Sequence, residues 1–259
     1  MAETIVMIHG MWGTGSYWEN FRDFFESKGY RCVVPTLRFH DMDPNGLPDP
    51  RLGTTSLLDY AGDLAKLIRE LHVVPILIGY SMGGLLAQIL GSRGLAKALV
   101  LLTPAAPHGI IALKPSVIKS FWSGLTRWGF WRKPFRQTFA EAVYSMLNLM
   151  PSESWKSIYD KFVYESGRAA FEIGFWLFDS KGAARVDGSK VTCPVLIVAG
   201  EKDRITPVSV TRKVAEKYRG VSTYKEFSDH PHWVIAEPGW QQIAEHIEAW
   251  LHQALSKPG

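Results

Sequence analysis

Val73-Val74-Pro75-Ile76-Leu77-Ile78-Gly79-Tyr80-Ser81-Met82-Gly83-Gly84 is the stretch on which the fold turns. Its first half is a short apolar, β-branched run, the pattern of a buried strand. After it Leu85, Leu86, Ile89 and Leu90 recur at helical spacing. The serine between them sits on a sharp strand-to-helix turn. Such a turn strains the serine backbone and is tolerated only where the residues two before and two after have almost no side chain. Here both are glycine. The hydroxyl is pushed into open space at a helix N-terminus, where backbone N–H groups favour negative charge. G-x-S-x-G alone is a weak signal; strand and helix in this order make it a strong one.

Three other regions carry matching chemistry. Thr4-Ile5-Val6-Met7-Ile8 reads as a buried strand, followed by His9-Gly10-Met11-Trp12-Gly13-Thr14-Gly15-Ser16, whose glycines let a main-chain N–H fold inward. Val195-Leu196-Ile197-Val198-Ala199 is a strand that leads into Gly200-Glu201-Lys202-Asp203-Arg204, placing a carboxylate just past its end. Glu201 competes with Asp203 but lies closer to the strand. After the strand-like Ser222–Phe227 comes Asp229-His230-Pro231-His232, ahead of a helix marked by Glu237-Pro238. His232 keeps the better downstream spacing, and His230 stays open as its rival.

Serine, then aspartate, then histidine is the chain order of the α/β-hydrolase fold, and with these motifs the chain resembles an α/β-hydrolase of the serine-esterase or lipase type. The resemblance covers nearly the whole chain. It implies a mostly parallel sheet of about six strands flanked by helices, with core residues 1–106 and 187–259 and a helical cap inserted over 107–186. It implies Ser81 as nucleophile, His232 as base, Asp203 as its orienting partner, and the backbone N–H groups of Met11 and Met82 as the oxyanion hole. His9 would then orient the oxyanion loop. Trp12 and Tyr80, with Trp122 and Trp128 of the cap, are the candidate substrate-binding residues. Many relatives carry a Gly-His-Gly-like turn where this chain has Arg38-Phe39-His40-Asp41, a departure expected to alter one wall of the pocket.

Composition fits a compact enzyme: 259 residues, 46 % hydrophobic, enough for one sizeable core. A net charge of +4 is too mild to argue for nucleic acid. No window approaches a membrane span and no signal-peptide pattern opens the chain. Cys32 and Cys193, used sparsely, suggest free thiols in a reducing cytoplasm. No cofactor motif is visible. His40, Asp41, Asp43 and Asp49 cluster in a Pro- and Gly-rich loop, but at no metal-ligand spacing, so no metal is expected and the loop reads as solvated. His40 itself has no evident partner. The 107–186 region holds half of the chain's aromatic residues, and Val117, Ile118, Phe121, Trp122, Leu125 and Trp128 share one helical face. Lys114 to Arg136 carries six cations and no acid. Such a cap is expected to pack its aromatics on the core, to line an apolar acyl site, or both, with its basic rim meeting amphiphile interfaces.

Three function classes follow. Hydrolysis of an apolar carboxylic ester through an acyl-enzyme leads. Non-hydrolytic or carbon–carbon bond chemistry on the same scaffold, including a lyase or cofactor-free peroxidase, is second; a slow-turnover binding protein is third. Serine rather than aspartate at position 81 argues against dehalogenase and epoxide-hydrolase chemistry. Leu85 stands where menaquinone-pathway synthases of this fold usually have arginine.

Overall fold

The computed structural model describes residues 2–256. Its first half alternates strand and helix: β1 (Thr4–Ile8), α1 (Glu19–Ser27), β2 (Arg31–Val33), α2 (Leu57–Glu70), β3 (Ile76–Tyr80), α3 (Met82–Gly91) and β4 (Ala98–Leu102). Every residue of β1, β3 and β4 is buried, which explains their unbroken apolar composition. β3 begins at Ile76, three residues later than the apolar run in the sequence. Pro75 has no N–H to give a sheet ladder. α2 starts at a capping box in which Ser56 and Asp59 exchange hydrogen bonds, and it buries a stripe from Leu57 to Ile68.

Between β4 and the next core strand lie α4 (Pro115–Ser120), α5 (Trp122–Leu125), β5 (Pro134–Phe135), α6 (Phe139–Ser145), α7 (Ser152–Tyr159), β6 (Glu165–Ser166) and α8 (Gly167–Gly174). These pieces are short. They are not purely helical, because β5 and β6 pair as a small antiparallel ribbon. The core resumes with β7 (Val195–Gly200), α9 (Val208–Lys217), β8 (Ser222–Phe227) and α10 (Trp240–Leu255). α10 buries Ile243, Ile247, Trp250 and Leu251 along one side. The main sheet has six strands in the order β2-β1-β3-β4-β7-β8, and all five pairings are parallel. Among the described residues, no helix is long and apolar enough to cross a membrane.

α3 is buried along its whole length and leaves β3 through a turn with no room for side chains. A β-carbon on Gly79 would run into the Gly83 carbonyl, and one on Gly83 into the Ile8 carbonyl. Both obstacles are backbone, so neither can swing aside. Gly83→Ala is therefore expected to cost about 3 kcal/mol or more of stability, readable as a lower denaturation midpoint in urea. An unchanged midpoint would show that helix and strand are not in this contact.

Candidate active site

Ser81 ends β3 with φ 54° and ψ −119°, a strained backbone for a residue with a side chain. Its neighbours hold it there. Its N–H donates to the Leu102 carbonyl at 3.0 Å, and its carbonyl accepts from Ala105 N–H at 2.9 Å. Ser81 Oγ lies 3.0 Å from His232 Nε2, and His232 Nδ1 lies 2.8 Å from Asp203 Oδ2. The carboxylate only accepts, so Nδ1 carries the proton and Nε2 is left to accept from the hydroxyl. The sequence positions Ser81, His232 and Asp203 are thus brought together in one hydrogen-bonded chain.

Asp203 is fixed by more than the histidine. Its Oδ1 accepts from the N–H groups of Ile205 and Thr206, each at 2.7 Å, and its Oδ2 from the Thr206 hydroxyl at 2.7 Å. Glu201, the competing carboxylate, is exposed. Gly200 lets the two loops meet, because a β-carbon there would strike the carbonyls of His230 and Pro231. His230 turns elsewhere: its Nδ1 is 2.6 Å from Glu237 Oε1, with both side chains buried. Of the two rival histidines, His232 is the one that faces Ser81. Thr206, Gly200 and Glu237 were not singled out in the sequence. The glycine at a strand end and the threonine three residues after an aspartate were the signals available for the first two.

Met82 opens α3, where the first N–H groups of a helix lack an intrahelical partner. Met11 follows Gly10, whose missing side chain leaves room for Ser81; a β-carbon on Gly10 would lie 2.9 Å from Ser81 Cβ. His9 is fully buried and structural. Its Nδ1 donates to the Gly10 carbonyl at 2.8 Å, and its Nε2 accepts from Leu37 N–H at 3.0 Å. Burial, reinforced by the charge of His40 and opposed by the Gly10 hydrogen bond, pushes the His9 pKa down to about 3. His9 is therefore neutral throughout the physiological range.

An apolar cavity opens onto Ser81, lined by Met11, Met82, Val117, Phe121, Leu125, Phe135, Ile173 and Phe175 among others. Ser81 and Thr206 are its polar members, and no side chain lining it is ionisable. Trp12 and Tyr80 are buried behind this wall rather than in it. The Trp122 and Trp128 expectation needs correction: they point outward, 59 % and 86 % exposed. Val117, Phe121 and Leu125, spaced four apart, line the cavity, while Ile118 and Trp122, one position further round, face out; α4 and α5 are separated at Phe121, whose φ of −118° and ψ of 14° are not helical. Trp128 lies beyond α5 and meets Trp131 edge-on at 5.4 Å. The 38–41 stretch lines no part of this cavity either. His40, expected in a solvated loop, is fully buried and lies 3.1 Å from Glu165. Among the described residues, no group of three or more His, Cys, Asp or Glu is arranged to hold a metal ion.

Known proteins share this fold. The model of the alpha/beta hydrolase family matches residues 5–245. A non-heme chloroperoxidase, CPO-A1 of Kitasatospora aureofaciens, is 25 % identical over 248 residues, 91 % of this chain and 86 % of that protein. In fold the chain is similar to a pyrethroid hydrolase from Sphingobium faniae JZ-2 (TM-score 0.73, 16 % identity, 99 % and 100 % of the two chains covered). It is also similar to a monoacylglycerol lipase of Paleococcus ferrophilus (TM-score 0.66, 21 % identity, 96 % and 93 % covered). A third similar structure is the esterase EaEST of Exiguobacterium antarcticum (TM-score 0.71, 19 % identity, 97 % and 92 % covered).

The two histidines are separable by experiment. His232→Ala is expected to abolish labelling of Ser81 by a fluorophosphonate, since no other base reaches the hydroxyl. His230→Ala should label within tenfold of the wild-type rate but lose about 3 kcal/mol of stability, because Glu237 is left buried without its partner. The reverse pattern would assign the base to His230.

Proposed function

The chain belongs to the alpha/beta hydrolase family, and from that premise we propose that it is a serine hydrolase. It cleaves a carboxylic ester with an apolar acyl group through an acyl-enzyme intermediate. The observation that carries this reading is the hydrogen-bonded chain from Asp203 through His232 to Ser81, ending at an apolar cavity. His232 Nε2 takes the Ser81 proton as Oγ attacks the carbonyl carbon, and Asp203 stabilises the imidazolium that forms. The N–H groups of Met82 and Met11 receive the oxyanion; losing one such donor costs about 2.7–4 kcal/mol of transition-state stabilisation. The proton passes from His232 to the departing alkoxide. A water, deprotonated by the same imidazole, then releases the acid and restores Ser81.

The cavity argues for the substrate class. A charged group bound there would lose water and gain no ion partner, so the acyl portion is uncharged and apolar. Residues 107–186 act as the cap supplying most of its wall. Trp122 and Trp128 fit the cap's outer rim, where with Lys119 and Arg127 they would touch an amphiphile interface rather than the bound acyl chain. Two unpaired cysteines support a reducing cytoplasm as the site of action. A second reading, cofactor-free peroxidase chemistry, is favoured only by the likeness to the chloroperoxidase. There hydrogen peroxide rather than water would resolve the acyl-enzyme, and peroxide-dependent halogenation exceeding ester hydrolysis would select it.

Ser81→Ala should abolish both p-nitrophenyl ester turnover and fluorophosphonate labelling while the protein stays folded. Full labelling of the variant would move the nucleophile elsewhere. Across a p-nitrophenyl ester series, kcat/KM should rise by up to about fourfold per added methylene, then fall once the cavity is full. Phe121→Ala or Phe135→Ala should move that optimum to longer chains, whereas Trp122→Ala and Trp128→Ala should leave it in place. An optimum moved by the tryptophans and not by the phenylalanines would put the acyl chain on the outer face.

A further inference from the structure

His9, His40, Tyr60 and Glu165 form a fully buried polar cluster at the seam between the sheet and the segment that joins β4 to β7. Glu165 Oε1 accepts from the Tyr60 hydroxyl at 2.9 Å and from Ser166 N–H at 2.6 Å. Its Oε2 lies 3.1 Å from His40 Nε2, while His40 Nδ1 lies 3.0 Å from the Arg38 carbonyl. Both nitrogens of His40 thus face acceptors, and the ring satisfies both only as an imidazolium. His9 is the opposite case, with one nitrogen facing a carbonyl and the other an N–H. The two rings sit 5.2 Å apart, too close for both to carry charge in a buried site.

The turn of residues 37–40 connects them. His40 N–H donates to the Leu37 carbonyl at 3.0 Å, and the His40 ring closes the turn on Arg38. Leu37 N–H in turn occupies His9 Nε2, which obliges the His9 proton to sit on Nδ1 and bond the Gly10 carbonyl. The Gly10–Met11 peptide is trans, so holding its carbonyl one way aims the Met11 N–H the other.

We propose that His40 and Glu165 are a positioning pair for the Met11 amide, fixing the 37–40 turn, through it the His9 tautomer, and so the oxyanion donor beside Ser81. The inference rests on the roles given above to Ser81 and Met11. It also couples turnover to the seating of β6, which carries Glu165 from the far side of the seam.

The proton that matters is on His40. Burial pulls its pKa down, but the charge and hydrogen bond of Glu165, with the Arg38 carbonyl, outweigh burial and hold it above its ordinary value. The groups around it are neutral His9 just after β1, Tyr60 from α2, which burial keeps un-ionised, and Glu165 from β6. Arg38, on its own turn, points its guanidinium at Asp63. A raised pKa means that the pair is complete below the ordinary imidazole range and is lost as pH rises through the elevated value.

Imidazole 15N spectra of the intact protein at pH 7 should show His40 as imidazolium and His9 as the neutral Nδ1–H tautomer. A neutral His40, or a proton on Nε2 of His9, overturns the proposal. With p-nitrophenyl butyrate, wild-type kcat should fall at alkaline pH in step with the His40 titration. Glu165→Gln should lower kcat at pH 7 about tenfold, less than deleting a donor outright, with KM within twofold and the alkaline limb gone. A folded Glu165→Gln with wild-type kcat and limb overturns the proposal, as does a wild-type limb that does not track His40 if the variant fails to fold. Fluorophosphonate labelling separates the two levels: a wild-type protein that does not label at Ser81 removes the hydrolase reading itself.

Discussion

The close approach of two backbones is the constraint on which the rest depends. The first turn of α3 lies directly against the end of β1, with Gly83 against the Ile8 and His9 carbonyls and Gly10 against the Ser81 side chain. β1 and β3 are in register there, Ile8 beside Gly79, so the contact also fixes which residue ends β3. The strain at Ser81, of order 1–3 kcal/mol, is held by hydrogen bonds from β4 and the residues after it. The sheet centre imposes it.

From that fixed hydroxyl the polar machinery extends outward through groups that each have several partners. Asp203 accepts from two backbone N–H groups, a threonine hydroxyl and His232, so both oxygens of the buried carboxyl are satisfied without a Lys or Arg partner. The His230–Glu237 pair braces the same loop from behind. Had Glu237 instead approached His232, two carboxylates would have competed for one imidazole. Their separation onto different histidines keeps the tautomer of His232 unambiguous.

The core was legible in the sequence because its determinants are local. Glycines two residues either side of a serine and unbroken apolar runs are written within short windows, and Ser81, Asp203 and His232, though 151 residues apart end to end, each sit in such a window after a strand. Pro75 moved a strand boundary by three residues and changed nothing else. The segment between β4 and β7 was legible only in composition. Its helices are eight residues or fewer, and at that length periodicity cannot tell a cavity-facing side from a solvent-facing one. Trp122 shares the exposed side with Ile118, one position round from the inward Phe121. His40 looked like a loop residue because its partner is 125 positions away. A contact at that range leaves no mark in a local pattern.

The seam under this segment and the cavity within it follow opposite rules. Where the segment meets the core, aromatic packing of Phe121 and Phe135 on Trp12 is joined by polar, directional contacts: Glu165 with His40 and Tyr60, and Glu172 of α8 with Ser56 Oγ and Leu57 N–H at the start of α2. Glu172 thereby places a carboxylate at a helix N-terminus, where the helix dipole favours it. Ser166 adds a bond to the Thr55 carbonyl at 2.6 Å. Such contacts fix one docking geometry, because any other leaves a buried charge without a partner. The face toward Ser81 carries only apolar side chains and Thr206, whose contacts depend on shape and area rather than direction. Phe175 answers to that second rule, whereas Phe121 and Phe135 also pack on Trp12, and Phe135 stands opposite Glu165 in the β5–β6 ribbon. Selectivity for what enters the cavity is thus set on a surface that shares Phe135 with the ribbon carrying Glu165.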